Sequence, residues 1–312
     1  MRLLSGPIAW ILRTGTRYSP RRVGLALVYH RVIDDREPLG PLTPSTRAWV
    51  LRRQLEHLHR HYSVVGADEL PGAIATRRFG RRIPVAVTFD DDLESHVSRA
   101  LPILRQTGTS ATFFLGGSWG SDHEGYWWHW LERAWQLGHN PVRVLRADGL
   151  WVSPDAGPSE LATLIQELPP EARRKVGRRL RELVPDEACP SLRSEGVRRL
   201  RAHGFHLGFH TREHHSLTSL SSAEVVGALQ AGREEIEALT GERISLFAYP
   251  HGKYNACVRR RVSDAGYRLA FTTDRRALRR GDHPLALGRM TAPPRAGGGF
   301  ALALGRTLYL GS

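Results

Sequence analysis

The chain has 312 residues, 41% hydrophobic and 24% charged, enough for one large or two ordinary domains with a buried core; disorder and a disulfide-stapled miniprotein are excluded. Cys189 and Cys257 are the only cysteines, so no cysteine zinc site or disulfide framework is available, and a reduced, cytoplasmic setting fits. The formal net charge of +14 admits an anionic membrane surface, such as the inner membrane face, as a partner; the arginines are scattered and carry no nucleic-acid module signature, so nucleic acid is not expected.

In chain order, Met1 to Leu12 is too short to span a bilayer, and no small-x-small cleavage site follows it before Arg13 and Arg17. A terminal helix docked on the core is expected there, with an interfacial anchor as the alternative. Seven short apolar runs follow: Gly24 to Tyr29, Val85 to Phe89, Ala111 to Leu115, His206 to Phe209, Ser245 to Tyr249, Leu269 to Thr273 and Pro284 to Leu287. Such runs, bounded by turn signals, read as buried parallel strands. Amphipathic helices are expected over Pro44 to His61, Ser95 to Gln106, Ser191 to His203, Ser221 to Leu239 and Asn255 to Ala265. Ser221, Ser222 and Glu224 form an N-cap signature. The alternation defines an α/β fold, and about seven strands point to a barrel.

The span 116–190 breaks this rhythm and reads as an insertion, not a separate domain. It holds Trp127, Trp128 and Trp130 in WWHW, then a basic helix from Glu171 to Leu183 with Ala172, Val176, Leu180 and Leu183 at helical spacing. The tryptophans suit either a sugar-stacking platform or a small satellite core, the latter being expected. The basic helix suits a solvated arginine face or docking to lipid phosphate. The C-terminal FALALGRTLYLGS is expected to dock as a helix on the core.

Barrel enzymes collect their chemistry from the C-terminal ends of different strands. Here Tyr29 and His30, then Asp90, Asp91 and Asp92, then His210, then Pro250 and His251 end four separate runs. His210 and His214 share a face if the segment makes a helical turn, and both imidazoles then reach one ion. Alone, such a pair is usually a solvated face. Three adjacent carboxylates after a buried strand need a cation to balance them. With His210 and His214, one of them completes a two-histidine, one-carboxylate site of the catalytic zinc type.

These residues sit in a longer ordered set: YHRV, VTFDDD, ALPILRQTGTSATFFL, GFHTREHHSLT, FAYPHGKYN, AGYRLAFTTD and LGRM. In this order the chain, from about Leu27 to Met290, resembles the polysaccharide deacetylases, the NodB homology domain of carbohydrate esterase family four. Their corresponding motifs are of the types TFDDG, SHTxxHxxL and FxxPYG. The resemblance implies one catalytic domain over 1–312, a distorted (β/α) barrel, and metal-dependent removal of an N-acetyl, O-acetyl or formyl group from a sugar or glycan. It implies Asp91, His210 and His214 as ligands to a divalent metal, zinc by expectation, and Asp90 as base. The N–H of His251 is implied as oxyanion donor, with Pro250 and Gly252 shaping the turn.

Three positions depart from the family pattern. Asp92 stands where glycine is usual, free to bind metal, pair with His96 or cap a helix. Ala248 stands where many members carry an arginine that orients the base, a task left to Arg289. No leucine-histidine motif supplies the general acid, which leaves His283, His30 and His215 as candidates. A hydrolase of non-sugar amides and a non-catalytic glycan- or membrane-binding module are the competing functions, and no glycine-rich phosphate loop follows any strand.

Overall fold

The structure, a computed structural model, describes residues 20–310 except 121–122, 125, 148, 186–187 and 189; the N-terminal stretch Met1 to Leu12 and its expected docking lie outside the described residues. Six of the seven apolar runs are parallel strands in the expected places: β1 (Val23–Tyr29), β2 (Pro84–Asp90), β3 (Thr112–Leu115), β4 (His206–Phe209), β5 (Leu246–Ala248) and β6 (Leu269–Phe271). They pair in sequence order from β1 to β6. The seventh run makes a single parallel bridge, Phe271 to Leu287, and regular pairing resumes in β7 (Met290–Thr291) against β1. The segment from Leu287 to Thr291 thus spans the gap between β6 and β1 by isolated bonds, which is the sense in which the (β/α) barrel is distorted.

Two further short strands join this sheet, too brief to leave a pattern in the sequence. Ser63–Val65 runs parallel to the N-terminal half of β2, below β3, and Leu278–Arg279 runs antiparallel to Val23 and Gly24.

Period-two alternation sorts the side chains. Leu25, Leu27, Val85, Val87, Phe113, Leu207 and Phe209 face the surrounding helices within the main core. Ala26, Ala86, Phe114, Leu246, Ala248, Phe271 and Leu287 form a second cluster inside the barrel. The inner set is rich in alanine, and at Gly208 even a Cβ would lie 2.4 Å from the Phe114 ring. That economy of volume leaves room in the barrel for larger polar groups near its C-terminal mouth.

Besides the short helix Leu70–Thr76, the α-helices are α1 (Ala48–His61), α2 (Leu101–Thr107, preceded by a π-helical turn His96–Ala100), α3 (Trp127–Gln136), α4 (Pro141–Ala147), α5 (Pro158–Glu167), α6 (Pro170–Arg181), α7 (Ser194–Ala202), α8 (Ser222–Gln230), α9 (Arg233–Thr240), α10 (Ala256–Asp264) and α11 (Gly298–Tyr309). The expected helix over Ser221 to Leu239 is two. α8 starts in a full capping box of Ser221 and Glu224, and the chain breaks at Gly232, which has φ +94° and packs directly on the Gly116–Gly117 backbone. A Cβ at Gly232 would lie 2.3 Å from the Gly116 carbonyl, so glycine is required for both conformation and approach. As expected, α11 docks on the core, through Phe300, Leu304 and Leu308.

Between 116 and 190, α3 to α6 bury their own core of Trp130, Leu131, Ala134, Leu145, Leu161, Ile165, Val176 and Leu180. Trp130 therefore belongs to a satellite core, with Trp127 packed against its edge. The basic face of α6 is partly engaged: Arg181 lies over the Trp130 ring, and Arg174 pairs with Glu213 at 3.3 Å. Among the described residues, no helix is long and apolar enough to cross a membrane.

Candidate active site

The four non-glycine residues with positive φ among the described residues are Asp91 (74°), Thr211 (65°), His214 (48°) and His251 (57°). All stand in loops at the C-terminal ends of β2, β4 and β5. Left-handed backbone costs such residues about 1–3 kcal/mol each and persists where the surroundings impose it, typically at functional sites. At Asp91 the consequence is direct. Strand alternation would send Asp90 inward and Asp91 outward, but the left-handed residue re-aims the chain, and both carboxylates line one cavity.

Inside the barrel, Arg289 grips Asp90 with a two-pronged ion pair: Nη1 donates to Oδ1 and Nη2 to Oδ2, both at 2.6 Å. Arg289 also donates from Nε to the Thr272 carbonyl and from Nη1 to Thr88 Oγ1, each at 3.1 Å. Its guanidinium lies over the Phe114 ring at 5.3 Å. Arg289 is 0% exposed and Asp90 2%. Burial pushes the Asp90 carboxyl up, but the charge of Arg289 and its two hydrogen bonds outweigh it and hold the group below the ordinary value. Position 248 is a buried alanine, and the guanidinium on Asp90 comes instead from the segment linking β6 to β1.

Asp91, His210 and His214 bring their ligand atoms within 4.8 Å of one another. The two imidazoles do not share a helical face as the spacing suggested; residues 210–214 form an irregular loop in which Thr211 and His214 are left-handed. The result still converges. The two Nε2 atoms are 3.2 Å apart, and they lie 3.8 and 3.9 Å from Asp91 Oδ1. His210 donates from Nδ1 to the Ala248 carbonyl at 2.8 Å, which fixes its tautomer and leaves the Nε2 lone pair facing the site. His214 is walled by the rings of Tyr126, Trp128 and His251. Burial holds it well below the usual histidine range, neutral as a ligand must be. Asp91 Oδ1 is buried without a hydrogen-bond partner. Two nitrogen lone pairs and an unpartnered carboxylate oxygen aimed at one point are a donor set that fits a divalent cation of the zinc type.

The remaining expected residues separate. Asp92, 0% exposed, faces away from this point: its Oδ1 accepts from Gly116 N–H (2.9 Å), and its Oδ2 from Ser118 N–H (3.0 Å) and Ser118 Oγ (2.5 Å). It ties the loop after β3, and none of the three roles open to it in the sequence is the one it takes. His96 packs between Phe89 and Phe113 and faces the His30 carbonyl at 3.3 Å; burial drives its pKa down to about 3. Of the three candidate acids, only His30 lines the cavity. His283 is exposed beyond the N-terminal end of the segment that pairs with β6, on the barrel face opposite the mouth, and its Nδ1 accepts from Leu285 N–H. His251 sits at the rim, in the turn Pro250–Gly252.

Apart from Trp127 and Trp128, which the sequence offers for sugar stacking, the cavity wall includes residues that the sequence does not single out. The cavity, about 480 Å³, is walled by Trp127 and Trp128, by Ala162, Thr163, Gln166 and Glu167 of α5, and by Tyr249 and Thr273, besides the residues above. WWHW thus divides its work: Trp130 packs the satellite core, Trp127 packs against that core and also lines the cavity, and Trp128 lines the cavity. Trp128 stacks on Tyr126 at 4.3 Å, whose hydroxyl donates to the Thr211 carbonyl. His129, in the same run, reaches 3.8 Å from Asp91 Oδ2. An isolated histidine among tryptophans has no spacing that signals this.

Comparison with known proteins bears on the family and the fold. The family model for polysaccharide deacetylase matches residues 80–270. No match was found among curated proteins. Among solved structures, the chain is similar to the Streptococcus pyogenes deacetylase PplD in complex with acetate (16% identity, TM-score 0.60, covering 90% of this chain and 96% of that one). It is also similar to IcaB from Ammonifex degensii (20%, 0.57, 91% and 95%) and to a polysaccharide deacetylase from Bacillus cereus (17%, 0.58, 90% and 69%). At these identities the likeness to solved structures is one of fold.

Proposed function

The chain belongs to the polysaccharide deacetylase family, and on that premise we propose that it is a metal-dependent hydrolase that removes an N-acetyl group from a sugar or glycan. In this reading residues 1–312 form one catalytic domain, with 116–190 an insertion that roofs its mouth. The observation that carries the reading is the pairing, in one cavity, of two carboxylates in opposite circumstances. Asp90 is fully engaged by Arg289; Asp91 keeps one buried oxygen unbonded opposite two imidazole nitrogens.

Asp91, His210 and His214 would hold a divalent cation, zinc in our assignment, which when bound lowers the pKa of its water from 15.7 to about 7 and polarises the acyl carbonyl. Asp90 takes the proton of the attacking water. Arg289 keeps Asp90 ionised and fixes the plane of its carboxylate, so the base is ready in the cavity. The backbone N–H of His251, in a left-handed turn at the rim, is assigned to the oxyanion. His30 is assigned to protonate the departing amine, being the acid candidate that lines the cavity. Trp127 and Trp128 offer aromatic faces to the sugar ring. The two departures that favoured a non-catalytic module no longer do so: Asp92 is turned away, and Arg289 supplies the guanidinium absent at 248.

The test is acetate release from N-acetylated oligosaccharides by the purified protein and by Asp90→Asn. Release that disappears in Asp90→Asn is expected. Turnover of small non-sugar amides with inert sugars would transfer the site to the competing hydrolase reading, and glycan binding without turnover to the binding-module reading.

A further inference from the structure

We propose that His129 is a positioning residue of the metal site: it donates from Nε2–H to Asp91 Oδ2 and so presents Oδ1 to the cation. The inference rests on the metal-dependent reading above and adds a residue from the 116–190 segment to it.

His129 lies in the first turn of α3 and is 2% exposed, yet neither ring nitrogen has a hydrogen-bond partner. An unbonded buried polar group costs about 1–3 kcal/mol, and native proteins retain few of them. Its Nε2 is 3.8 Å from Asp91 Oδ2, whereas His210 and His214 face Oδ1 at 3.8 and 3.9 Å. The carboxylate is therefore approached from two sides, by two imidazoles on one oxygen and a third imidazole on the other. A hydrogen bond needs His129 and Oδ2 to close by somewhat under 1 Å, a small swing of the carboxylate.

The ring is held for this contact. It stands edge-on to Tyr126 (5.4 Å, 68°) and Trp128 (5.3 Å, 70°), and Tyr126 is itself bonded to the loop that carries His214. On another side the ring lines a second cavity of about 560 Å³. Glu132, one turn on, does not compete for it: its oxygens accept from Leu42 N–H, Thr43 N–H and Arg31. Outer hydrogen bonds of this kind orient a ligating carboxylate, and their loss costs about 10–100-fold in metal affinity.

The experiment measures zinc affinity by competition with a chromophoric chelator for the wild type, His129→Leu and His129→Gln, alongside thermal melts of the zinc-free proteins. His129→Leu keeps bulk without a donor and is expected to bind zinc about 10–100-fold more weakly. His129→Gln, whose amide can donate from nearly the place of Nε2, is expected to recover most of the loss. Should His129→Leu not fold, His129→Asn, too short to reach Asp91, carries the same expectation. Variants that bind like the wild type, or that weaken alike whether or not they can donate, would overturn the assignment. A wild type that takes up no zinc, cobalt or manganese would overturn the metal-dependent reading, and the role of His129 with it.

Discussion

Replacing Arg289 by methionine removes both prongs on Asp90 and the bonds to Thr88 and Thr272 while keeping most of the apolar stem. Asp90 is left 2% exposed with no countercharge from the barrel wall, and breaking a buried pair in this way costs about 3–5 kcal/mol. Against a total stability of about 5–15 kcal/mol this is a large share. The penalty has a pH signature. In the wild type the native pKa of Asp90 lies below the ordinary 3.8, so the group contributes stability above pH 3.8 that is lost as pH falls through its native value. In Arg289→Met, burial acts without the guanidinium and the native pKa moves above 3.8. The sign reverses: the variant is penalised above that raised value, and the penalty fades as pH falls toward 3.8. Urea unfolding of both proteins at pH 8 and pH 5 reads this directly. The gap should be about 3–5 kcal/mol at pH 8 and smaller at pH 5, and Asp90→Asn should restore stability to the variant. A gap below about 1 kcal/mol, or one equal at both pH values, refutes the reasoning, because an unpaired buried carboxylate cannot be indifferent to its own protonation.

Three further outcomes follow from the same geometry. Asp92→Gly, which restores the residue usual in the family, strands the Gly116 and Ser118 donors; chemical denaturation should show a loss of about 2–4 kcal/mol, while zinc stoichiometry stays unchanged. Trp128→Ala, at the cavity wall, should raise KM about tenfold, the equivalent of about 1.4 kcal/mol, with kcat nearly preserved; a fall in kcat at constant KM would place Trp128 with the chemistry instead. His30→Gln should lower kcat by about 10²–10⁴-fold at full metal content, and an unaffected kcat would remove His30 from the acid role.

Most of the barrel was legible because its strands are short apolar runs buried on both faces, as parallel strands are. The seventh was legible in place but not in kind: around Leu287 it makes one bridge, and the ladder forms only at Met290 and Thr291. Gly232 read as one position inside a helix, since the carbonyl of Gly116 that forces the break belongs to a loop over a hundred residues earlier. The same distance hid Asp92: its partners Gly116 and Ser118 are local neither in sequence nor in motif. The histidine spacing pointed to a shared ion through a helical turn, and the convergence arises through left-handed residues that no spacing rule anticipates. Arg289 was reached by asking what replaces the arginine absent at 248. His283 failed because adjacency to LGRM says nothing of which end of the barrel a residue occupies. For Trp128 the sequence leaves sugar stacking and a satellite core both open and favours the latter, which holds for Trp130 rather than Trp128; His129 carries no signal of its own in the same four-residue run.

The most direct measurement of the central claim is acetate release from an N-acetylated oligosaccharide by the full-length protein as purified, after chelation, and after zinc is returned. Release that vanishes on chelation and returns with zinc, while a His210→Ala, His214→Ala double variant of matched circular dichroism stays silent throughout, is the predicted result. Release that persists undiminished in the chelated protein and in the double variant would contradict the account.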